Sequence, residues 1–240
     1  MGKTESILFG SSRKLKRAGD FQITCEGAPV ARVSCVKYLG VLLDENLSGK
    51  PHAEDLLKKC GYRISFLYRN ATVLNTNSRI TLCSALVQPF MDYCSSSWYS
   101  SLTQKLKNRF DVIQRRMVRF IFGMHHLDHV GLSSFSSLSW LTMKDRVNYF
   151  KLCHVFRIKT GTAPPYLSQD FVSVSALHAH STRGSNSHNF SLSKQISSAP
   201  HSFLFTAIKE WNNLPAHIKH IDSGSAFKQR LRAHFLSKYC

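Results

Sequence analysis

Between Thr103 and Gly123 the sequence is satisfied only as a half-buried helix. Leu106, Phe110, Ile113, Met117, Phe120 and Ile121 recur every three or four residues, which makes one continuous apolar stripe on a helix. As a strand the same residues would scatter over both faces. At 100° per residue, Lys105, Arg109, Arg115, Arg116 and Arg119 fall on an adjacent arc. Asp111 is the one acid in the stretch, so this arc is expected to meet phosphate oxygens rather than the chain's own carboxylates.

Other segments repeat the helical pattern. Leu56, Leu57, Cys60, Ile64, Leu67 and Tyr68 mark a helix over His52 to Tyr68. Asn75 to Ser78 supplies a cap for a second one carrying Ile80, Cys83, Val87, Phe90, Met91 and Cys94, which Pro89 is expected to kink. Thr142-Met143-Lys144-Asp145 resembles a capping box with Asp in the acceptor position, and its helix stops at Gly161. Helices are also predicted for Phe203 to Leu214, stopped by Pro215, and for Ala226 to Lys238, with Phe227, Leu231 and Phe235 in line. Between them, Val172 to Ser202 is rich in serine, histidine and asparagine and has the composition of a mobile linker.

The amino-terminal part reads differently. Ser6 to Gly10 and Phe21 to Cys25 suit short strands, separated by a basic turn over Ser11 to Asp20, and Val30 to Val33 leads into a third. Three strands of this kind form a small antiparallel unit that cannot stand alone. Val36 to Ser48 then reads as a strand handing over to the helical body, with a bulge or a close backbone approach at Gly40. The fold class predicted is α+β, predominantly α. The divisions are a β-rich part at 1–50, a helical body at 51–171, the linker at 172–202 and a helical tail at 203–240.

Charge narrows the function. With 32 Lys and Arg against 14 Asp and Glu the formal net charge is +18, an excess that repels itself unless a polyanion or anionic surface offsets it. The seven cysteines lack zinc-ribbon or knuckle spacing and suit reduced, buried thiols of an intracellular protein, in nucleus or cytoplasm. No apolar run is long enough to span a membrane. Met1 to Ser6 also satisfies the permissive N-myristoylation pattern at Gly2, with Arg13, Lys14, Lys16 and Arg17 as an electrostatic companion.

An ordered set of short motifs adds a resemblance. Gly2 to Phe9 is similar to the Lys-Thr-Glu segment that follows the catalytic aspartates of non-LTR (LINE-type, jockey/CR1-like) retrotransposon reverse transcriptases. Tyr38-Leu39-Gly40-Val41 with Asp44 resembles the next strand motif, which in that family supports the primer end. Leu86 to Tyr93 with Trp98, Ile113 to Arg119, and Ala163 to Leu167 resemble thumb-side segments. Trp211-Asn212-Asn213-Leu214-Pro215 with Phe227-Lys228 resembles the tail. The resemblance implies the end of a palm, a thumb-like body and a tail, with Tyr38, Leu39 and Gly40 in the primer-support position.

The same resemblance implies what to look for and not find. The family's magnesium-binding aspartates lie upstream of the Lys-Thr-Glu segment, and the sequence has no adjacent aspartate pair. The expectation is therefore a catalytically incomplete remnant, not an enzyme. It should bind RNA, RNA–DNA hybrid or DNA without sequence preference and need no cofactor, metal or small-molecule ligand. An inert or protein-interaction fragment is the alternative. Segments resembling Arg63 to Tyr99 also carry a domain name borrowed from an alkylation-repair dioxygenase, but no residue supports dioxygenase or methyltransferase chemistry. His126 and Asp128 with His178 or His180 and Arg183 would make an iron triad in a β-sandwich, which this pattern does not predict. A zinc set of His125, His126, His129 and Cys153 fits no usual spacing.

Overall fold

A computed structural model of the chain describes residues 4–177, 188–197 and 199–239. It is an α+β fold, predominantly α. The amino-terminal sheet is mixed, not antiparallel as expected. β1 (Glu5–Ser6) and β2 (Ile23–Cys25) flank β3 (Ala28–Arg32), the first parallel and the second antiparallel to it. A parallel neighbour needs a crossover, and α1 (Ser12–Ala18) lies within it, where a basic turn is predicted. Its six polar or small residues hide the one apolar anchor, Leu15, while the Ser11 hydroxyl caps the Lys14 N–H.

Val36 to Ser48 also differs from the prediction. It is a hairpin, β4 (Cys35–Tyr38) and β5 (Val41–Asp44), with Tyr38 paired to Val41 across a two-residue turn. Leu39 and Gly40 both have positive φ, 44° and 86°, the geometry that matches the twist of paired strands. Gly40 is thus a turn residue and not a bulge. Asp44 accepts the Ser48 and Gly49 N–H groups at 3.1 Å each, which folds the chain sharply into the first long helix.

The helical body follows in order: α2 (Lys50–Arg69), α3 (Thr76–Leu86), α4 (Gln88–Asp92), α5 (Ser95–Trp98), α6 (Gln104–Phe122), α7 (Leu132–Ser137) and α8 (Met143–Lys159). The predicted kink at Pro89 is a full break. α3 ends before it, and Pro89 sits in the first turn of α4, where its missing N–H has no partner to lose. Then come α9 (Val174–Leu177), α10 (Lys194–Ser197), α11 (Phe203–Asn212), α12 (Ala216–Lys219) and α13 (Gly224–Leu236).

One apolar cluster runs through all of this, from Val41 to Tyr239. α6 is its axis, packed against α2, α3 and α8. α8 in turn carries α11 and α13, with Phe156 stacked on Phe227 at 4.3 Å. Within 172–202, Phe190 is buried against Phe171 and Trp211, and the Asn212 side-chain amide pairs with both backbone groups of Phe190 as a strand edge would. The Thr142 cap is completed from far away. Asp145 accepts the Thr142 and Tyr239 hydroxyls, while Tyr239 accepts the Thr142 N–H that a longer acid would reach. Of the six described cysteines, all free, Cys60 and Cys83 are buried, but Cys25 and Cys94 are exposed, against the expectation of buried thiols.

Arg79 joins three of these pieces. Its guanidinium donates to the carbonyls of Leu74, Ala71 and Phe120 at 3.0, 2.7 and 3.0 Å and lies over the Phe120 ring. It thereby satisfies an open carbonyl at the carboxy-terminal end of α6. Replacing Arg79 by Met keeps the stem but strands the Leu74 and Phe120 carbonyls and leaves Ala71 only the Leu74 N–H, and should lower unfolding stability by about 2–3 kcal/mol, read by urea denaturation.

Candidate nucleic-acid interface

α6 buries Phe110, Met117, Val118 and Ile121 completely and so fixes which way its cations point. Lys105, Arg109 and Arg115 are exposed, whereas Arg116 and Arg119 are half-buried. Arg116 donates to the Ser65 hydroxyl at 3.3 Å, and its carbonyl accepts the Tyr68 hydroxyl at 3.0 Å. The Arg119 Nε donates to the Asp128 carbonyl at 2.9 Å and closes the loop after the helix. Burial pushes the Tyr68 phenol up, and the nearby Arg116 and Arg119 pull it partly back. Lys105, Arg109 and Arg116 share one ridge, four and seven residues apart, with the exposed Val112 between them. Arg115 lies round the helix from this ridge, where it partly offsets the rise in pKa that burial causes at Asp111.

α2 adds a second ridge that the sequence reading missed. Trp98 links His52, near the start of α2, to Phe110, while Tyr68, near its end, reaches Phe120. The two helices therefore run side by side in the same sense. Lys58, Tyr62, Ser65 and Arg69 have the same spacing on α2 as Lys105, Arg109, Val112 and Arg116 on α6. Tyr62 is 68% exposed and Phe66 54%, both flat rings on a cationic surface. Between the ridges Gly61 leaves the floor open, since a Cβ there would meet nothing within 4 Å. The repeated spacing was visible in the sequence, but only tertiary pairing sets the two rows together.

The hairpin tip is separate and held from behind. Tyr38 is exposed and Leu39 is 74% exposed, while the Leu39 carbonyl accepts the Tyr93 hydroxyl at 2.7 Å. A Cβ on Gly40 would lie 3.3 Å from the Tyr93 ring. The left-handed φ of Leu39 costs about 1–2 kcal/mol, and this hydrogen bond helps hold it there.

Carboxylates are dispersed, and several are committed. Asp44 holds the turn into α2, Asp92 pairs with Arg146, Asp145 with Thr142 and Tyr239, and Asp128 with the His125 N–H. Among the described residues no three metal-binding side chains gather. His178, His180 and Arg183 lie outside the described residues, as do Gly2 and Lys3. No described helix is long and apolar enough to cross a membrane.

Comparison with known proteins bears on origin. The chain is 27% identical over 124 residues to the "Probable RNA-directed DNA polymerase from transposon X-element" of Drosophila melanogaster. This chain resembles a reverse transcriptase. The match covers 50% of the chain and 13% of that polymerase. No family model matches, and no solved structure matches significantly.

The geometry separates tethered from free cations in this reverse-transcriptase-like chain. Arg116→Ala and Arg119→Ala should each lower thermal stability by about 1 kcal/mol through lost hydrogen bonds. Lys105→Ala and Arg109→Ala should stay within about 0.5 kcal/mol, measured by melting of the purified variants.

Proposed function

We propose that the α2–α6 face is a sequence-tolerant binding surface for RNA, RNA–DNA hybrid or DNA, carried over from a LINE-type reverse transcriptase. The observation that carries this reading is the pair of ridges. Lys58, Arg69, Lys105 and Arg109 have no carboxylate within ion-pair distance among the described residues, and Tyr62 and Phe66 stand exposed among them. Mobile cations supply the salt-dependent contact to phosphates, and exposed rings offer stacking surfaces that do not distinguish bases. Arg116 is held in place by Ser65, which aligns its guanidinium with the row.

The ordered motifs and the similarity to a transposon polymerase favour a place after the catalytic strands of such an enzyme. In that reading Tyr38, Leu39 and Gly40 support a primer end from an exposed, back-braced tip. In this reading the segment contributes grip, and the metal-binding carboxylates of such an enzyme belong to strands other than the described ones.

Binding of a fluorescent 20-base-pair RNA–DNA hybrid should weaken tenfold or more in Lys105→Ala/Arg109→Ala/Arg116→Ala, and the slope of log affinity against log salt should flatten by about 2–3. An alanine triple at Arg13, Lys14 and Arg17, also basic, should change it little. Unchanged affinity in the first triple would sink the assignment of this face and favour a protein-interaction fragment.

A further inference from the structure

Lys151 is 3% exposed and has no carboxylate partner among the described residues. Its ammonium donates to two hydroxyls, Ser100 Oγ at 2.6 Å and Thr206 Oγ1 at 3.0 Å. A buried ammonium compensated only by neutral groups is costly. Burial accordingly pulls its pKa down to about 8, helped by repulsion from Lys107 and opposed by Glu210. Nothing in the nucleic-acid reading uses this group.

It lines an open-mouthed cavity of about 370 Å³ between α6, α8 and α11. Two more lysines face the same space. Lys107 comes from α6, 200° round the wheel from Lys105 and so on the flank away from the α2 ridge. Lys144 comes from α8, one face of which carries Lys144, Asn148 and Lys151 at i, i+4 and i+7. Burial and the neighbouring Lys144 both lower the Lys107 pKa. Asn148 is 8% exposed, lines the cavity, and makes no side-chain hydrogen bond to any described residue. Asp111 and Glu210 are the acids that also line the cavity, and Arg115 partly offsets the rise in pKa that burial causes at Asp111. None of the three lysines lies within ion-pair distance of either acid.

We propose that this cavity binds a compact, multiply charged phosphate-class anion of about the size of inorganic diphosphate. The ammonium groups of Lys107, Lys144 and Lys151 neutralise it, and the Asn148 side-chain amide donates to one of its oxygens. The cavity volume falls within the range of small-molecule sites. Three amines converging from two helices suit several oxyanion groups better than a single carboxylate. The ligand supplies the countercharge that Lys151 lacks, so binding and folding reinforce each other.

The test is isothermal titration of inorganic diphosphate into the full chain at pH 7, with sodium chloride of matched ionic strength as reference. Saturable one-to-one binding is expected, together with a rise of about 3–5 °C in melting temperature at ten times the dissociation constant. Lys151→Met should weaken binding at least tenfold. Asn148→Ala and Lys107→Met, where less of the core is disturbed, should each weaken it severalfold, which keeps the test valid if Lys151→Met folds poorly. Lys105→Ala/Arg109→Ala/Arg116→Ala should leave diphosphate affinity unchanged, which separates this site from the proposed nucleic-acid face. Absence of binding at millimolar diphosphate would overturn the proposal, and so would equal binding by wild type and all three cavity variants.

Discussion

The rest of the structure depends on the burial of α6. Six cations and one acid sit among its 19 residues, yet Phe110, Met117, Val118 and Ile121 must all leave water. Burying each such side chain is worth roughly 1.5–3 kcal/mol, well above what any single exposed charge contributes. Apolar burial therefore sets the rotation of the helix, and the charges go where that rotation leaves them. Lys105, Arg109 and Arg116 end beside α2, while Lys107 ends beside α8. One helix thus feeds two cationic surfaces of different kind, an open ridge and a recessed cavity.

Around α6 the joints are polar and specific. Gln114 is buried, and it accepts the Met143 N–H at 2.6 Å and donates to the Leu141 carbonyl at 3.2 Å, which fixes the start of α8. Tyr239 reaches the same start from the other end of the chain. Trp211 is fully buried and donates to the His188 carbonyl at 2.9 Å, and Lys219 donates to Asn189 and to the Asn212 carbonyl. The Trp-Asn-Asn-Leu-Pro run is in this respect a clasp, in which the Trp211 and Asn212 side chains are given partners as burial requires.

Long periodic segments were legible in the sequence because burial on one face imposes a 3.6-residue repeat, and α2, α6, α8, α11 and α13 all announce themselves in that way. The amino-terminal region was less legible. α1 buries one leucine, too little to leave a period, and β1 has two residues whose partners, Ala31 and Arg32, lie 26 positions away. The hairpin at Leu39 and Gly40 was hidden because leucine is a poor residue for a left-handed turn, and only the Tyr93 contact shows why it is tolerated. For the candidate interface, the α6 arc could be read directly, but its split into free Lys105, Arg109 and Arg115 and tethered Arg116 and Arg119 could not. The α2 row and the Lys151 cavity required knowing which helices are neighbours.

The central claim is that α2 and α6 jointly present the nucleic-acid surface. Lysine acetylation footprinting of the full chain, with and without an RNA–DNA hybrid, tests it most directly. Lys58 and Lys105 should lose reactivity in the complex, while Lys14, Lys144 and Lys228 keep theirs. Protection spread evenly over all five, or absent at Lys58 and Lys105, would contradict it.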